Sequence, residues 1–79
     1  MIVQLFAGAR ELVGAAFLSV DLPAGATVAD LRRALILHHP ELSPLLTRSR
    51  IAVNREFADD SAVVPSGAEV AIIPPVSGG

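Results

Sequence analysis

The sequence predicts an α+β domain, a mixed sheet of about five strands with one main helix packed on one face. Three observations predict it. Strong helical periodicity is confined to one segment, from Thr27 to His39. Short stretches rich in strand formers, bounded by Gly and Pro, lie on both sides of that segment. The last of these stretches runs straight into Pro74-Pro75, where backbone pairing must stop because proline has no amide hydrogen to donate.

Each element has its own justification. Ile2-Val3-Gln4-Leu5-Phe6-Ala7 reads as the first strand and ends at Gly8. Arg10-Glu11-Leu12-Val13 forms a turn or short helical piece leading to Gly14, with Arg10 and Glu11 expected to pair with each other or with neighbours. Ala16 to Leu22 is the second strand, because Leu18, Val20 and Leu22 alternate with Ser19 and Asp21. After the turn Pro23-Ala24-Gly25-Ala26, Thr27 caps a helix and Asp30 answers it as the capping-box partner. Val28, Leu31, Leu35 and His38, with Ala34, form one stripe of that helix; Arg32 and Arg33 are expected to face solvent. Pro40 forces His39 out of helical geometry and ends it. Leu42 to Leu46 is a short helical turn. Arg50 to Val53 is a strand, Asn54-Arg55 a turn, and Glu56-Phe57-Ala58 a short return strand. Pro65-Ser66-Gly67 turns the chain into the final strand, Glu69 to Ile73.

Strand parity divides the sheet into two faces. Val3, Leu5, Leu18, Val20, Val70 and Ile72 share the face that the helix covers. The opposite parity carries Phe6, Phe57 and Ile73, large apolar groups that a face meeting only water does not need. These three, with Pro74 and Pro75, are the predicted partner interface.

Composition narrows the function classes. The chain has 79 residues, 52% of them apolar, and a mean hydropathy of +0.57, greasy for a small domain. No apolar run approaches the roughly 20 residues that span a bilayer, and Met1-Ile2-Val3-Gln4 has no basic signal-peptide start, so a cytoplasmic location is expected. Net charge is −2 and the six arginines are spread along the chain, without the basic stripe that nucleic acid requires. With no cysteine there is neither a disulfide nor a thiolate metal site, and adjacent His38 and His39 do not make a metal site alone. Helix-end solvation is the expected role of both histidines. Every basic residue is arginine; compositional bias accounts for that, although a chain without lysine also cannot form an isopeptide with its own copy.

The end of the sequence, Pro74-Pro75-Val76-Ser77-Gly78-Gly79, combines a stiff extended exit with two residues that carry no Cβ. A carboxylate on such an arm can thread a narrow channel into another protein's active site. The segmentation is therefore a domain over residues 1–75 and a carrier tail over 76–79. Alone, a Gly-Gly end is also compatible with a frayed terminus or a linker.

Together with Phe6-Ala7-Gly8-Ala9-Arg10-Glu11-Leu12, Thr27-Val28-Ala29-Asp30-Leu31, Val53-Asn54 and Gly67-Ala68-Glu69-Val70, that ending resembles the small subunits of molybdopterin synthase, within the ubiquitin-like β-grasp sulfur carriers. The similarity spans the whole chain in order. Ala68 departs from an Asp common in that turn, which touches the loop and not the tail. The resemblance implies a β-grasp fold and a carrier that binds no cofactor of its own. A ubiquitin-activating-like adenylyltransferase would use ATP to adenylate Gly79, and a sulfur donor would convert the adenylate to a thiocarboxylate. The synthase large subunit, in a two-plus-two heterotetramer, would receive the tail, with Val76, Ser77 and Gly78 lining the channel. Sulfur would pass from Gly79 to cyclic pyranopterin monophosphate in the large-subunit active site, making this chain a donor subunit. A carrier for thiamin, cysteine or tRNA thiolation, a protein modifier joined through Gly79, and a plain interaction domain with an idle tail share the same features.

Overall fold

The computed structural model describes residues 1–75; the predicted tail, Val76, Ser77, Gly78 and Gly79, lies outside the described residues. The elements in chain order are β1 (Ile2–Leu5), α1 (Ala7–Val13), β2 (Phe17–Ser19), α2 (Val28–His38), a 3-10 turn (Pro40–Leu42), α3 (Ser43–Arg48), β3 (Arg50–Val53), β4 (Glu56–Ala58) and β5 (Val70–Ile73).

Local chemistry accounts for most boundaries. The capping box of α2 forms as predicted: the Thr27 hydroxyl accepts from the Asp30 amide at 3.3 Å, and the Thr27 amide donates to the Asp30 carboxylate at 2.9 Å. That backbone hydrogen bond, with the Arg33 guanidinium beside it, holds the Asp30 carboxyl below its ordinary pKa. At the other end the His39 amide closes on the Leu35 carbonyl at 2.8 Å, and Pro40 starts the next turn. The Arg10–Val13 piece belongs to a longer helix. Its first residue, Ala7, sits at φ +48°, a costly left-handed turn for a residue with a Cβ, and it reverses the chain directly after β1. Gly14 closes α1 at φ +79°, where its amide bonds the Arg10 carbonyl. Asn54 and Arg55 both have positive φ, +52° and +68°, as a two-residue hairpin between β3 and β4 demands. Asn54 tolerates that conformation and is tied to the residue just before β5: its side chain accepts from the Glu69 amide, and its own amide donates to the Glu69 carbonyl.

The sheet order is β2-β1-β5-β3-β4. Its centre is the parallel pair β1·β5, with Val3 opposite Val70 and Leu5 opposite Ile72; the remaining pairs are antiparallel. The helices cover one face. Val3, Leu5, Ile51, Val70 and Ile72 from the sheet meet Val28, Leu31, Leu35, Leu42 and Leu46 in one buried cluster. Burial of each such side chain contributes on the order of 1.5–3 kcal/mol. Val20 joins this core and Leu18 packs against it, as parity predicted.

Five expectations need correction. The first strand stops at Leu5 and not at Ala7, because Phe6 is the N-cap of α1 and Ala7 its first residue. The second strand is shorter than Ala16–Leu22, because the β1 register ends at Ile2 opposite Ser19. His38 leaves the buried stripe and is exposed; it is the last residue of α2, past the final buried position Leu35. Arg10 and Glu11 form no ion pair among the described residues, since both lie on the exposed side of α1. Arg32 does not face solvent. Its guanidinium donates to the carbonyls of Leu46 and Ser49 at the end of α3, and its Nε reaches Asp60 at 2.8 Å. The Leu46 carbonyl already accepts from the Ser49 amide at 3.2 Å and takes the guanidinium as a second donor, so a cation reaching across from α2 completes the end of α3. Arg33 is exposed, as predicted.

Candidate functional site

The sheet face away from the helices can be built from the register. A single row crosses all the strands: Phe17 on β2, Gln4 on β1, Ala71 on β5, Ala52 on β3 and Phe57 on β4. The two alanines leave a floor between taller groups. Because β1 and β5 are parallel, both strands end at the same side of the molecule, so Phe6 and Ile73 rise together there. The result is an open depression of about 340 Å³ whose walls include Phe6, Phe57 and Ile73. Phe57 is 54% exposed and Phe6 39%, whereas their core-facing neighbours Leu5 and Ile72 are buried. Pro74, half-buried, and Pro75, exposed, follow directly from Ile73 at this end.

The three apolar residues predicted to share the outer face are thus brought to one place. Charged groups form part of the rim. The guanidinium of Arg50 lies 3.7 Å from the centroid of the Phe57 ring, and Arg55 pairs with Glu69 at 3.5 Å. Strand parity did not reveal the floor, since Ala52 and Ala71 are unremarkable until β3 and β5 pair. Phe17, 56% exposed, was legible: it stands next to inward-pointing Leu18. The predicted carrier positions Val76, Ser77, Gly78 and Gly79 lie beyond the described residues, so their relation to this face is not part of the geometry.

Chemically, the face can bury an apolar side chain and answer a charge at its edge. It has no metal-binding constellation: among the described residues no three His, Cys, Asp or Glu side chains converge. His39 approaches Glu41 at 3.6 Å, and neither residue lines the depression. No helix among the described residues is long and apolar enough to cross a membrane.

Known proteins resemble this chain along nearly its whole length. The molybdopterin synthase sulfur carrier subunit of Arabidopsis thaliana is 43% identical over 77 residues, covering 98% of this chain and 80% of that protein. The protein of the same name from Dictyostelium discoideum is 40% identical over 80 residues, covering 98% and 93%. In three dimensions the crystal structure of small archaeal modifier protein 1 from Haloferax volcanii superimposes with a TM-score of 0.87 at 34% identity, covering 100% of this chain and 98% of that one. The mixed sheet with its helices on one face is therefore the β-grasp arrangement of ubiquitin-like carriers. The ThiS family pattern matches residues 3–79, from the first strand through the Gly-Gly ending, and the chain belongs to the ThiS family.

Proposed function

We propose that this chain is the sulfur carrier subunit of a molybdopterin synthase, with the carboxylate of Gly79 as its working group. The observation that carries the reading is the near-full-length similarity to proteins of that name, at up to 43% identity. The fold supports it. β5 lies in the middle of the sheet, where it is held on both edges, and its last residue, Ile73, lines the depression directly before Pro74-Pro75. A firmly held strand that feeds a stiff exit makes the domain a handle for the terminal residues.

In this mechanism a ubiquitin-activating-like adenylyltransferase joins the Gly79 carboxylate to the AMP part of ATP, releasing pyrophosphate. Adenylation converts a poor acyl donor into a good one. A donor that supplies sulfur at the sulfide level then displaces AMP, forming the C–S bond as the C–O bond to AMP breaks, and leaves a thiocarboxylate, ionised and nucleophilic at neutral pH. The domain docks through Phe6, Phe57, Ile73, Pro74 and Pro75 on the synthase large subunit, in a complex of two copies of each subunit. Val76, Ser77 and Gly78 thread the channel, and Gly79 gives its sulfur to cyclic pyranopterin monophosphate. The chain itself binds no cofactor and supplies no acid or base. Because adenylation draws on ATP, we infer a cytoplasmic location.

The test is intact mass. After incubation with the activating enzyme, ATP and a sulfur source, the chain gains the difference between one sulfur and one oxygen, and a variant lacking Gly79 does not. An unchanged mass for the full chain rejects the carrier reading. When large subunit and pyranopterin precursor are added, the gain disappears as sulfur is transferred; sulfur retained on the carrier rejects this acceptor. The likeness to an archaeal modifier protein favours a second reading, in which Gly79 is joined to amines of other proteins. That reading predicts conjugate ladders in lysate that vanish when Gly79 is removed.

A further inference from the structure

The outer face is not purely apolar, and its charges are unequal in kind. Arg55 and Glu69 line the depression, and Arg50 stands just outside it, over the Phe57 ring that forms one wall; together they balance to one positive charge on a chain whose net charge is −2. Arg55 and Glu69 answer each other. Arg50 has a different situation. It is exposed, it stands opposite Ile73 in the β3·β5 register, and its guanidinium is stacked over Phe57. Among the described residues, none of its guanidinium N–H groups donates a hydrogen bond and it joins no ion pair.

A guanidinium lying on an aromatic ring uses its face and keeps its edge free. That edge is the fork that takes a carboxylate through two parallel hydrogen bonds. The ring also fixes a long side chain that otherwise loses considerable rotamer freedom when it binds, so less is lost on association. The group is thus set in advance, at the rim of a depression whose floor, Ala52 and Ala71, admits an apolar side chain.

We propose that Arg50 is a preset carboxylate clamp, and that the partner surface fitted by this face presents an apolar side chain flanked by an Asp or Glu. The apolar group fills the depression between Phe6, Phe57 and Ile73; the carboxylate takes the free edge of Arg50. Since Arg50 sits beside Ile73, one residue before the proline exit, the clamp also sets the angle at which the domain meets its partner. This rests on the reading of the outer face as the surface that docks on the large subunit.

The experiment measures binding of the large subunit to the wild-type chain and to Arg50→Leu, Arg50→Lys, Arg50→Glu and Phe57→Asp, at low and physiological salt. Circular dichroism melts confirm that each variant is folded. Arg50→Leu, which keeps apolar area, is expected to raise Kd about tenfold, and Arg50→Lys less. Arg50→Glu is expected to raise it on the order of a hundredfold, with the greatest loss at low salt, where charge attraction is least screened. Among partner variants with one Asp or Glu changed to Arg, one restores binding to Arg50→Glu. Wild-type affinity in Arg50→Leu, with binding lost in Phe57→Asp, overturns the clamp and leaves the docking face standing. Intact binding in both overturns the face, and the clamp with it. If the Arg50→Leu defect disappears when both chains of the comparison carry a C-terminal amide in place of the Gly79 carboxylate, the carboxylate involved belongs to this chain's own end and the proposed partner chemistry is wrong.

Discussion

Replacing Arg32 by Met should cost this domain about 2–3 kcal/mol, far more than a helix-surface arginine ordinarily contributes. The Met side chain preserves most of the apolar stem, so the change isolates the guanidinium. Two donors are lost from the carbonyls of Leu46 and Ser49, in a pocket where the Arg32 side chain is only 20% exposed. Each charge-assisted bond is worth roughly 1.5 kcal/mol at the lower end of the usual range. The Leu46 carbonyl keeps the Ser49 amide at 3.2 Å, which softens the loss there. The third contact adds little. Asp60 is 62% exposed, and a solvated pair of that kind contributes at most about 0.5 kcal/mol. For a domain of this size the total lowers Tm by about 15 °C. Thermal melts and urea titrations of Arg32→Met and Asp60→Ala measure both effects. A loss below about 1 kcal/mol in Arg32→Met, or an Asp60→Ala variant equally damaged, would refute the assignment of the guanidinium to the α3 carbonyls. Below its melting range, Arg32→Met should dock like wild type, because these contacts lie on the helix side of the sheet.

The two faces of the sheet give opposite expectations. Phe57→Asp should change stability by less than about 1 kcal/mol and weaken docking to the large subunit at least about tenfold. Ile72→Ala, emptying a fully buried site, should cost about 2–5 kcal/mol while the folded fraction docks normally. Unfolding of Phe57→Asp, read by circular dichroism, would show that the ring belongs to the core. The α2 cap predicts an acid limb. Because Asp30 is held below its ordinary value of 3.8, its contribution is complete at pH values above that and is lost as pH falls through the lowered value. The Tm gap between wild type and Asp30→Asn should therefore be constant near neutrality and close below about pH 4; a gap unchanged down to about pH 2 contradicts the cap assignment.

Much was written in the sequence itself because it depends on neighbours along the chain. The Thr27–Asp30 box, the stop at Pro40 and the Asn54-Arg55 hairpin are settled by residues within a turn of one another. Strand parity, a property of the single chain, separated Leu5 and Ile72 from Phe6 and Ile73 correctly. The ending Pro74-Pro75-Val76-Ser77-Gly78-Gly79, read with the motifs at residues 6–12 and 27–31, carried the resemblance to a sulfur-carrier family before any fold was in view. Tertiary structure decided the rest, because it depends on pairing between distant segments. Only the register set Ala71 beside Ala52 and so dug the depression. Only the parallel approach of β1 and β5 brought Phe6 and Ile73 to the same end. Arg32 looked like a surface charge for the same reason: its acceptors lie 14 and 17 positions away, at the end of a helix whose placement periodicity cannot report. Arg50 became a candidate clamp only when folding laid it over Phe57. Local sequence specifies which way each side chain points on its own element, whereas the partner it meets is chosen by the packing of the whole core.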